Sequence, residues 1–349
     1  MASGVYLGCI IWSDFNNYFT KNPNCLNLLL ILTPILSINF RVESSRLGVT
    51  AINSSFLPDF LHRHQLPANY IETVQRWFIP LTEELSLKQK VLNRTLMVGV
   101  NGCQGSGKST LVDFVAEYLS RQEGLSVAVL SLDDFYYSTE KRNQLADSIH
   151  PLLRTRGVPG THDVNLIELV LSQLTKASGE VKLPRFNKAI DNPAPESKWP
   201  VVNTPVDIVL FEGWSWGVNA QDDSDLSEPQ NGLEREQDQK GCWRRYVNEQ
   251  IGRYYEPLYA QMDHWVMLKA PSFDQVFQWR LEQEQKLSRK SSGRDSSGVM
   301  DEAQVANFVQ FFERLTQHAL RDLPARCDQV FSLDETRAIV SGKSLPSEN

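Results

Sequence analysis

The chain has 349 residues, 41% hydrophobic and 22% charged, enough to bury a sizeable core in one large α/β domain or two small ones. A net charge of −7 argues against a nucleic-acid protein held by broad phosphate attraction, while leaving room for a local basic pocket that takes a small anion. The five cysteines (Cys9, Cys25, Cys103, Cys242, Cys327) are odd in number and widely spaced, with no C-x-x-C pair, so they suggest neither a disulfide framework nor a zinc site and point to a reducing, cytoplasmic setting.

Residues 1–45 are unlike the rest. The stretch 25–40, CLNLLLILTPILSINF, is apolar but shorter than a membrane span, and it contains Asn27, Pro34 and Asn39. No Lys or Arg precedes Lys21 and no clear small-residue cleavage site follows, so a signal peptide is not indicated. Three readings stay open: a membrane-associated extension, a packed appendage, or a start assigned too far upstream, with the last preferred and membrane association not expected. Over 46–95, apolar positions at helical spacing (Phe56, Phe60, Leu61, Ile71, Val74, Phe78, Leu81, Leu85), broken by Pro67 and Pro80, predict a helical appendage of two or three helices.

Residues 96–340 are expected to form one domain. Residues 96–110, LMVGVNGCQGSGKST, form an apolar strand leading into the full G-x-x-x-x-G-K-[ST] phosphate loop. Small residues let successive N–H groups curl around phosphates, and the helix that follows points its positive end at the same anion. Gly102, Cys103, Gln104, Gly105, Ser106, Gly107, Lys108, Ser109 and Thr110 are therefore expected to bind ATP. Lys108 would reach the β- and γ-phosphates and the Ser109 hydroxyl would ligate Mg²⁺. Cys103 sits near a helix N-terminus that can lower a thiol pKa, but an incidental small residue is the preferred reading.

Further elements follow in order: helix 107–121, strand 127–131, helix 163–176, strand 206–211, helix 243–261, strand 264–268, helices 272–287 and 301–318, and a short strand at 329–333. The strands are short apolar runs, as expected for parallel strands buried on both faces, and the alternation predicts a doubly wound, mainly parallel α/β sheet of the P-loop NTPase type. Two segments read as insertions: 218–241, polar and acidic, as a solvated surface loop; and 288–299, Ser/Gly-rich and basic, as a late lid.

Strand 127–131 runs into Leu-Asp-Asp-Phe-Tyr-Tyr at the carboxyl edge, where such sheets bind ligands, so Asp133 is the candidate base for an acceptor hydroxyl, with Asp134 better suited to capping the next helix. Strand 206–211 ends in Glu212-Gly213, where an acid can order Mg²⁺ and a glycine lets the backbone turn near the ligand. In LLRTRGVPGTHD, Arg154 and Arg156 can hold a small carboxylate bidentately, or simply be solvated; Asp163 can cap the helix that follows. Arg185 and Lys188 in LPRFNK form a second anion-facing loop or plain surface. Arg280, with Arg289 and Lys290 beyond it, can act as a lid cation on the transferring phosphoryl, or pair with Glu284 at i+4; Ser272 with Gln275 has the capping-box pattern.

The order GCQGSGKST, LSLDDFY, RGVPGTHD, PRFNKA, VLFEGW and WRLEQE resembles the D-glycerate 3-kinase family, a branch of the P-loop kinases that includes uridine kinase, phosphoribulokinase and bacterial pantothenate kinase. The resemblance covers about residues 50–335. It implies transfer from ATP to D-glycerate, giving 3-phosphoglycerate, with catalytic Lys108, Asp133, Glu212 and Arg280. It also implies Mg²⁺ organised by Ser109 and Glu212, and a substrate gripped by Tyr136, Arg154, Arg156, His162 and Arg185. One departure stands out: related enzymes usually carry Asp where this chain has Asn187, and an amide is neither a base nor a strong cation ligand. Three rival expectations keep parts of this reading: a kinase for a nucleoside, sugar phosphate or pantothenate; an ATP-binding regulator; and a protein tethered through residues 25–40. The oligomeric state is not legible.

Overall fold

The computed structural model describes residues 56–176, 178–291 and 300–344. The expected extension at 1–45 lies outside them, as do residues 292–299 of the expected lid. The chain divides into two compact units, Met1–Gln65 and Leu66–Asn349. Within the first, helix α1 (Leu57–Arg63) begins with proline at its first turn and places the Phe60 ring 4.4 Å from His64.

The second unit opens with α2 (Tyr70–Thr73), a π-type turn at Val74–Phe78, and α3 (Ile79–Leu92). Pro80 does not break the helix as its sequence position suggests. It has no N–H to donate, and its ring crowds the carbonyl four residues back; the wide turn just before it absorbs both. The same device recurs where one helix is expected over 243–261: α8 (Cys242–Gln250) passes through a π-type turn at Ile251–Tyr255 into α9 (Glu256–Tyr259), with Pro257 just beyond the turn.

The phosphate loop joins β1 (Leu96–Gly102) to α4 (Lys108–Gln122). Then come β2 (Val127–Ser131), α5 (Thr139–Ser148), α6 (Val164–Leu174), and two small antiparallel pairs between α6 and β7. These pairs are β3 (Gly179–Lys182) with β6 (Val201–Thr204), and β4 (Phe186–Asn187) with β5 (Asn192–Pro193). After β7 (Ile208–Gly213) the chain forms α7 (Gly232–Gln237), α8, α9 and β8 (His264–Lys269). It ends with α10 (Phe273–Ser291), α11 (Glu302–Asp322), β9 (Gln329–Leu333) and β10 (Ile339–Ser344).

The central sheet runs β10-β9-β8-β1-β7-β2, all parallel except the edge strand β10, so the expected doubly wound, mainly parallel sheet is what forms. Its two faces alternate residue by residue. Val98, Val100, Leu210 and Val266 face Leu81 and Leu85 of α3 and Leu111 and Val115 of α4. Met97, Ala128, Leu130 and Val209 face Ile167, Val170 and Leu171 of α6 and Tyr259 of α9. Each fully buried aliphatic side chain contributes about 1.5–3 kcal/mol, which is why these strands read as unbroken apolar runs.

The acidic 218–241 segment departs from expectation. Leu226, Glu234 and Asp238 are buried, and α7 lies within it. Asp222, Asp223, Asp225, Glu228 and Glu236 are exposed as expected, but the other two acids serve as buried counter-charges: Glu234 accepts from buried Arg314 at 2.6 and 2.7 Å, and Asp238 pairs with buried Arg244 at 3.1 Å. No described helix is long and apolar enough to cross a membrane.

Candidate active site

The carboxyl ends of β1, β2 and β7 converge. Register sets Glu212 of β7 opposite both Val100 of β1 and Ser131 of β2, so its carboxyl emerges at the floor of the phosphate loop. Lys108 Nζ lies 3.9 Å from Glu212 and donates to the Cys103 carbonyl at 3.2 Å, and Ser131 Oγ donates to Glu212 at 2.7 Å. Burial raises the Glu212 pKa and Asp133's charge adds to it, against the opposing Lys108 charge and Ser131 hydrogen bond. The Cys103 thiol is pushed up to about 12 by burial, so it is an inert small residue rather than a reactive one. Gly213 is needed for a different reason from the one expected: a Cβ there would stand 2.9 Å from Leu132 Cβ, so its closeness is to the β2 edge.

A cavity of about 590 Å³ opens over these ends. It brings together, from the expected set, Gln104, Gly105, Lys108, Ser109, Asp133, Tyr136, Arg156, Arg185, Glu212 and Arg280, with Lys188 beside Arg185 on the anion-facing side of its two readings. Asp133 is half-buried; Tyr136 Oη donates to its Oδ1 at 2.9 Å and Lys188 Nζ to its Oδ2 at 2.6 Å. Burial by itself would raise the Asp133 pKa. The Lys188 charge and hydrogen bond, the Tyr136 hydrogen bond and the Lys108 charge outweigh it and hold the carboxyl below its ordinary value.

Two expected substrate residues do not reach the cavity. Arg154 is exposed and donates to Asn143 and Asp147 at 3.1 and 3.3 Å. His162 is buried behind Tyr136, ring stacked on ring at 4.5 Å, with Nδ1 2.7 Å from the Tyr255 hydroxyl. The Gly160 N–H donates to that same hydroxyl oxygen, and His162 Nε2 is buried with no hydrogen-bond partner among the described residues. Burial takes the His162 pKa down to about 3, with the Asp133 charge opposing.

The loop motif is largely wall. Gly157 has φ +147°, and a Cβ there would lie 2.5 Å from the Phe312 ring; its carbonyl accepts from Trp214 Nε1 at 3.1 Å. Asp163 caps α6 through the Leu166 N–H at 3.0 Å, as its position suggests. Asp134 does not cap α5, whose cap is Ser138. It accepts instead from Phe186 N at 3.0 Å and Arg185 Nη1 at 3.4 Å, pinning the β4–β5 pair to the site. Asn187 folds its amide back onto Ala189 N at 3.0 Å, a turn-forming bond.

Arg156 pairs with Asp191 and lies over the Phe186 ring at 5.6 Å. Arg280 pairs with Glu284 one turn on and also lines the cavity, where its buried Nε has no hydrogen-bond partner among the described residues. Three contributors carried no sequence signal of their own. Asn101 holds the turn after β7 through the Trp214 and Trp216 carbonyls at 3.1 and 2.8 Å. Buried Arg142 ties the Arg154 carbonyl to Asp191 at 2.6 and 2.7 Å. Arg337 in the β9–β10 turn donates to the Gly105 carbonyl at 2.9 Å. All three gain meaning only from segments distant in sequence.

A phosphate loop, an acid at the end of the neighbouring strand and a second carboxylate across the cavity define a P-loop kinase. No protein-family model matches the sequence. The chain is 34% identical over 236 residues to a fission-yeast (Schizosaccharomyces pombe) protein named "Uncharacterized kinase mug58", covering 65% of this chain and 82% of that one. It is 33% identical over 223 residues to the chloroplastic D-glycerate 3-kinase of Arabidopsis thaliana, covering 61% of this chain and 45% of that enzyme. The solved structure of D-glycerate 3-kinase from Cryptococcus neoformans superposes with a TM-score of 0.64 at 26% identity, over 77% of this chain and 99% of that one. The chain belongs to the D-glycerate 3-kinase family of P-loop kinases. It is an ATP-dependent phosphotransferase.

Proposed function

We propose that the chain transfers the γ-phosphoryl group of ATP to the 3-hydroxyl of D-glycerate, giving ADP and 3-phosphoglycerate. One observation carries the reading: Asp133 stands in a single cavity between the phosphate loop and three cations, Arg156, Arg185 and Lys188. A carboxylate acceptor needs those cations at one end and a proton acceptor beside its hydroxyl at the other. The names of the Arabidopsis and Cryptococcus relatives agree with that acceptor.

In this reading residues 102–110 cradle the triphosphate, and Lys108 spans its β- and γ-groups. Ser109 and Glu212, oxygen donors in the same cavity, suit a hard cation and would hold Mg²⁺, which when bound neutralises the β- and γ-oxygens. Arg156 is the strongest candidate for the acceptor carboxylate: its guanidinium carries five donors in a planar fork, and the Asp191 contact uses Nη1. Asp133 takes the hydroxyl proton as the oxygen attacks phosphorus, and Arg280 answers the charge on the transferring phosphoryl group. The three described cysteines are free thiols, which suits a reducing, cytoplasmic setting.

The test is a coupled ADP-release assay with Mg-ATP, offering D-glycerate beside uridine, pantothenate and ribulose 5-phosphate, with the product identified by NMR. Turnover with D-glycerate to the 3-phosphate is expected. Turnover only with another acceptor overturns the substrate assignment but keeps the kinase.

A further inference from the structure

Both oxygens of Asp133 are engaged, but by groups of different character. Tyr136 is buried and backed by His162 and Tyr255, so its hold on Oδ1 is fixed. Lys188 projects from the exposed turn between β4 and β5, and its side chain is 59% exposed although its Nζ lies 2.6 Å from Oδ2. The far end of the same turn is anchored: Asp191 pairs with Arg142 at 2.7 Å and with Arg156, and its carbonyl accepts from Thr139 Oγ1 at 2.7 Å. The turn therefore has a fixed end and a solvent-exposed cation, and that cation covers Oδ2, an oxygen that could accept a hydroxyl proton.

We propose that Lys188 is an acceptor-responsive guard of Asp133. Without an acceptor it occupies Oδ2 and keeps water from using the carboxylate as a base. When an anionic acceptor enters, the ammonium passes from Asp133 to the acceptor's carboxylate and leaves Oδ2 open. The ammonium keeps a carboxylate partner throughout, and Asp133, on losing it, keeps the Tyr136 hydrogen bond and the nearby Lys108 charge. The bond from acceptor oxygen to Pγ then forms, the bond from Pγ to the β–γ bridging oxygen breaks, and the hydroxyl proton moves to Oδ2 and on to solvent. With water in place of the acceptor, the same step yields ADP and inorganic phosphate. The hand-over to a carboxylate rests on the D-glycerate reading above; the guarding of Asp133 does not.

The test uses the full chain with Lys188→Met, Lys188→Arg and the double change Lys188→Met/Asp133→Asn, after thermal melting has checked that each is folded. ADP release is measured with Mg-ATP alone and then with D-glycerate. For Lys188→Met, acceptor-free hydrolysis is expected to rise about tenfold as the base opens to water, and to fall back in the double variant. The D-glycerate KM is expected to rise by about 10- to 100-fold, the range for losing a charge-assisted hydrogen bond. Lys188→Arg, which keeps the cation, should hold hydrolysis low. Hydrolysis of Lys188→Met at the wild-type level overturns the guard, and an unchanged D-glycerate KM overturns the hand-over. If the wild-type chain does not turn over D-glycerate, the substrate reading has failed and Lys188 is judged on acceptor-free hydrolysis alone.

Discussion

The two ends of the cavity are built on different principles. The phosphate end is one contiguous stretch, 102–110, fixed by β1 and α4 and finished by Glu212 from the adjacent strand. Its contacts to an anion come mostly from backbone N–H groups, which any sequence with the right glycines can supply. The acceptor end is assembled from side chains of several separate segments, and each of its cations is held by an aspartate: Lys188 by Asp133, Arg185 by Asp134 and Arg156 by Asp191. In the proposed function, one end binds what all P-loop enzymes share, and the other exchanges internal ion pairs for those of a particular substrate.

If the ends are separable in this way, the largest effect comes from removing the base alone. Asp133→Asn should lower kcat by about 10²- to 10⁴-fold, the usual worth of a positioned general base, while the ATP dissociation constant stays near wild type. Stopped-flow nucleotide binding beside steady-state kinetics checks both. Lys108→Met should instead cost about 10²- to 10³-fold in kcat and weaken nucleotide binding as well. A collapse of ATP affinity in Asp133→Asn would break the division between the ends.

The same contrast explains what was legible in the sequence. The phosphate loop, Asp133 and Glu212 follow from local rules, a glycine motif and acids at the carboxyl ends of apolar strands, and the structure brings them together. The acceptor end obeys long-range geometry. Arg154 and Arg156 are two residues apart, and nothing local decides which faces inward. The choice is made by Trp214, 57 residues on, holding the Gly157 carbonyl, and by Phe312 packed against Gly157. Lys188 reads as either an anion-facing loop or surface until a two-residue strand folds it onto Asp133. The 218–241 segment reads as solvated throughout because its acids are charged, yet two of them, Asp238 and Glu234, are buried against Arg244 and Arg314 of later helices.

Arg156→Lys sharpens the comparison at the acceptor end. An ammonium cannot reproduce a planar fork, so the D-glycerate KM should rise about tenfold with the ATP KM unchanged. Parallel rises in both constants would mean that Arg156 holds the wall rather than the substrate.

His162 separates wall from lining by pH. Its folded pKa is depressed to about 3 from an ordinary 6.5. Below pH 6.5 the unfolded chain takes up a proton that the folded chain refuses, so the stability this neutral histidine allows is complete above 6.5 and lost as pH falls toward 3. His264, lowered to about 4, acts in the same direction. In urea titrations between pH 6.5 and 4.5, His162→Gln should remove about 1.4 kcal/mol per pH unit from the wild-type slope, with little change in the D-glycerate KM. Equal slopes would show that the imidazole is not held neutral.

The smallest expected effect is the most direct check on the acceptor end. Arg154 was a candidate for the substrate carboxylate on equal terms with Arg156, but its guanidinium is exposed and spent on Asn143 and Asp147. Exposed ion pairs of that kind are worth about 0–1 kcal/mol. The part of Arg154 that does matter is its carbonyl, which buried Arg142 grips at 2.6 Å and which any side chain leaves in place. Arg154→Ala should therefore leave both KM values and kcat within about twofold of wild type and shift stability by less than about 1 kcal/mol. A tenfold rise in the D-glycerate KM would mean that the 151–156 turn rearranges when acceptor binds and that the arginine facing solvent here joins the site. It would also make the acceptor end the more mobile of the two ends by a full loop rather than by the Lys188 side chain.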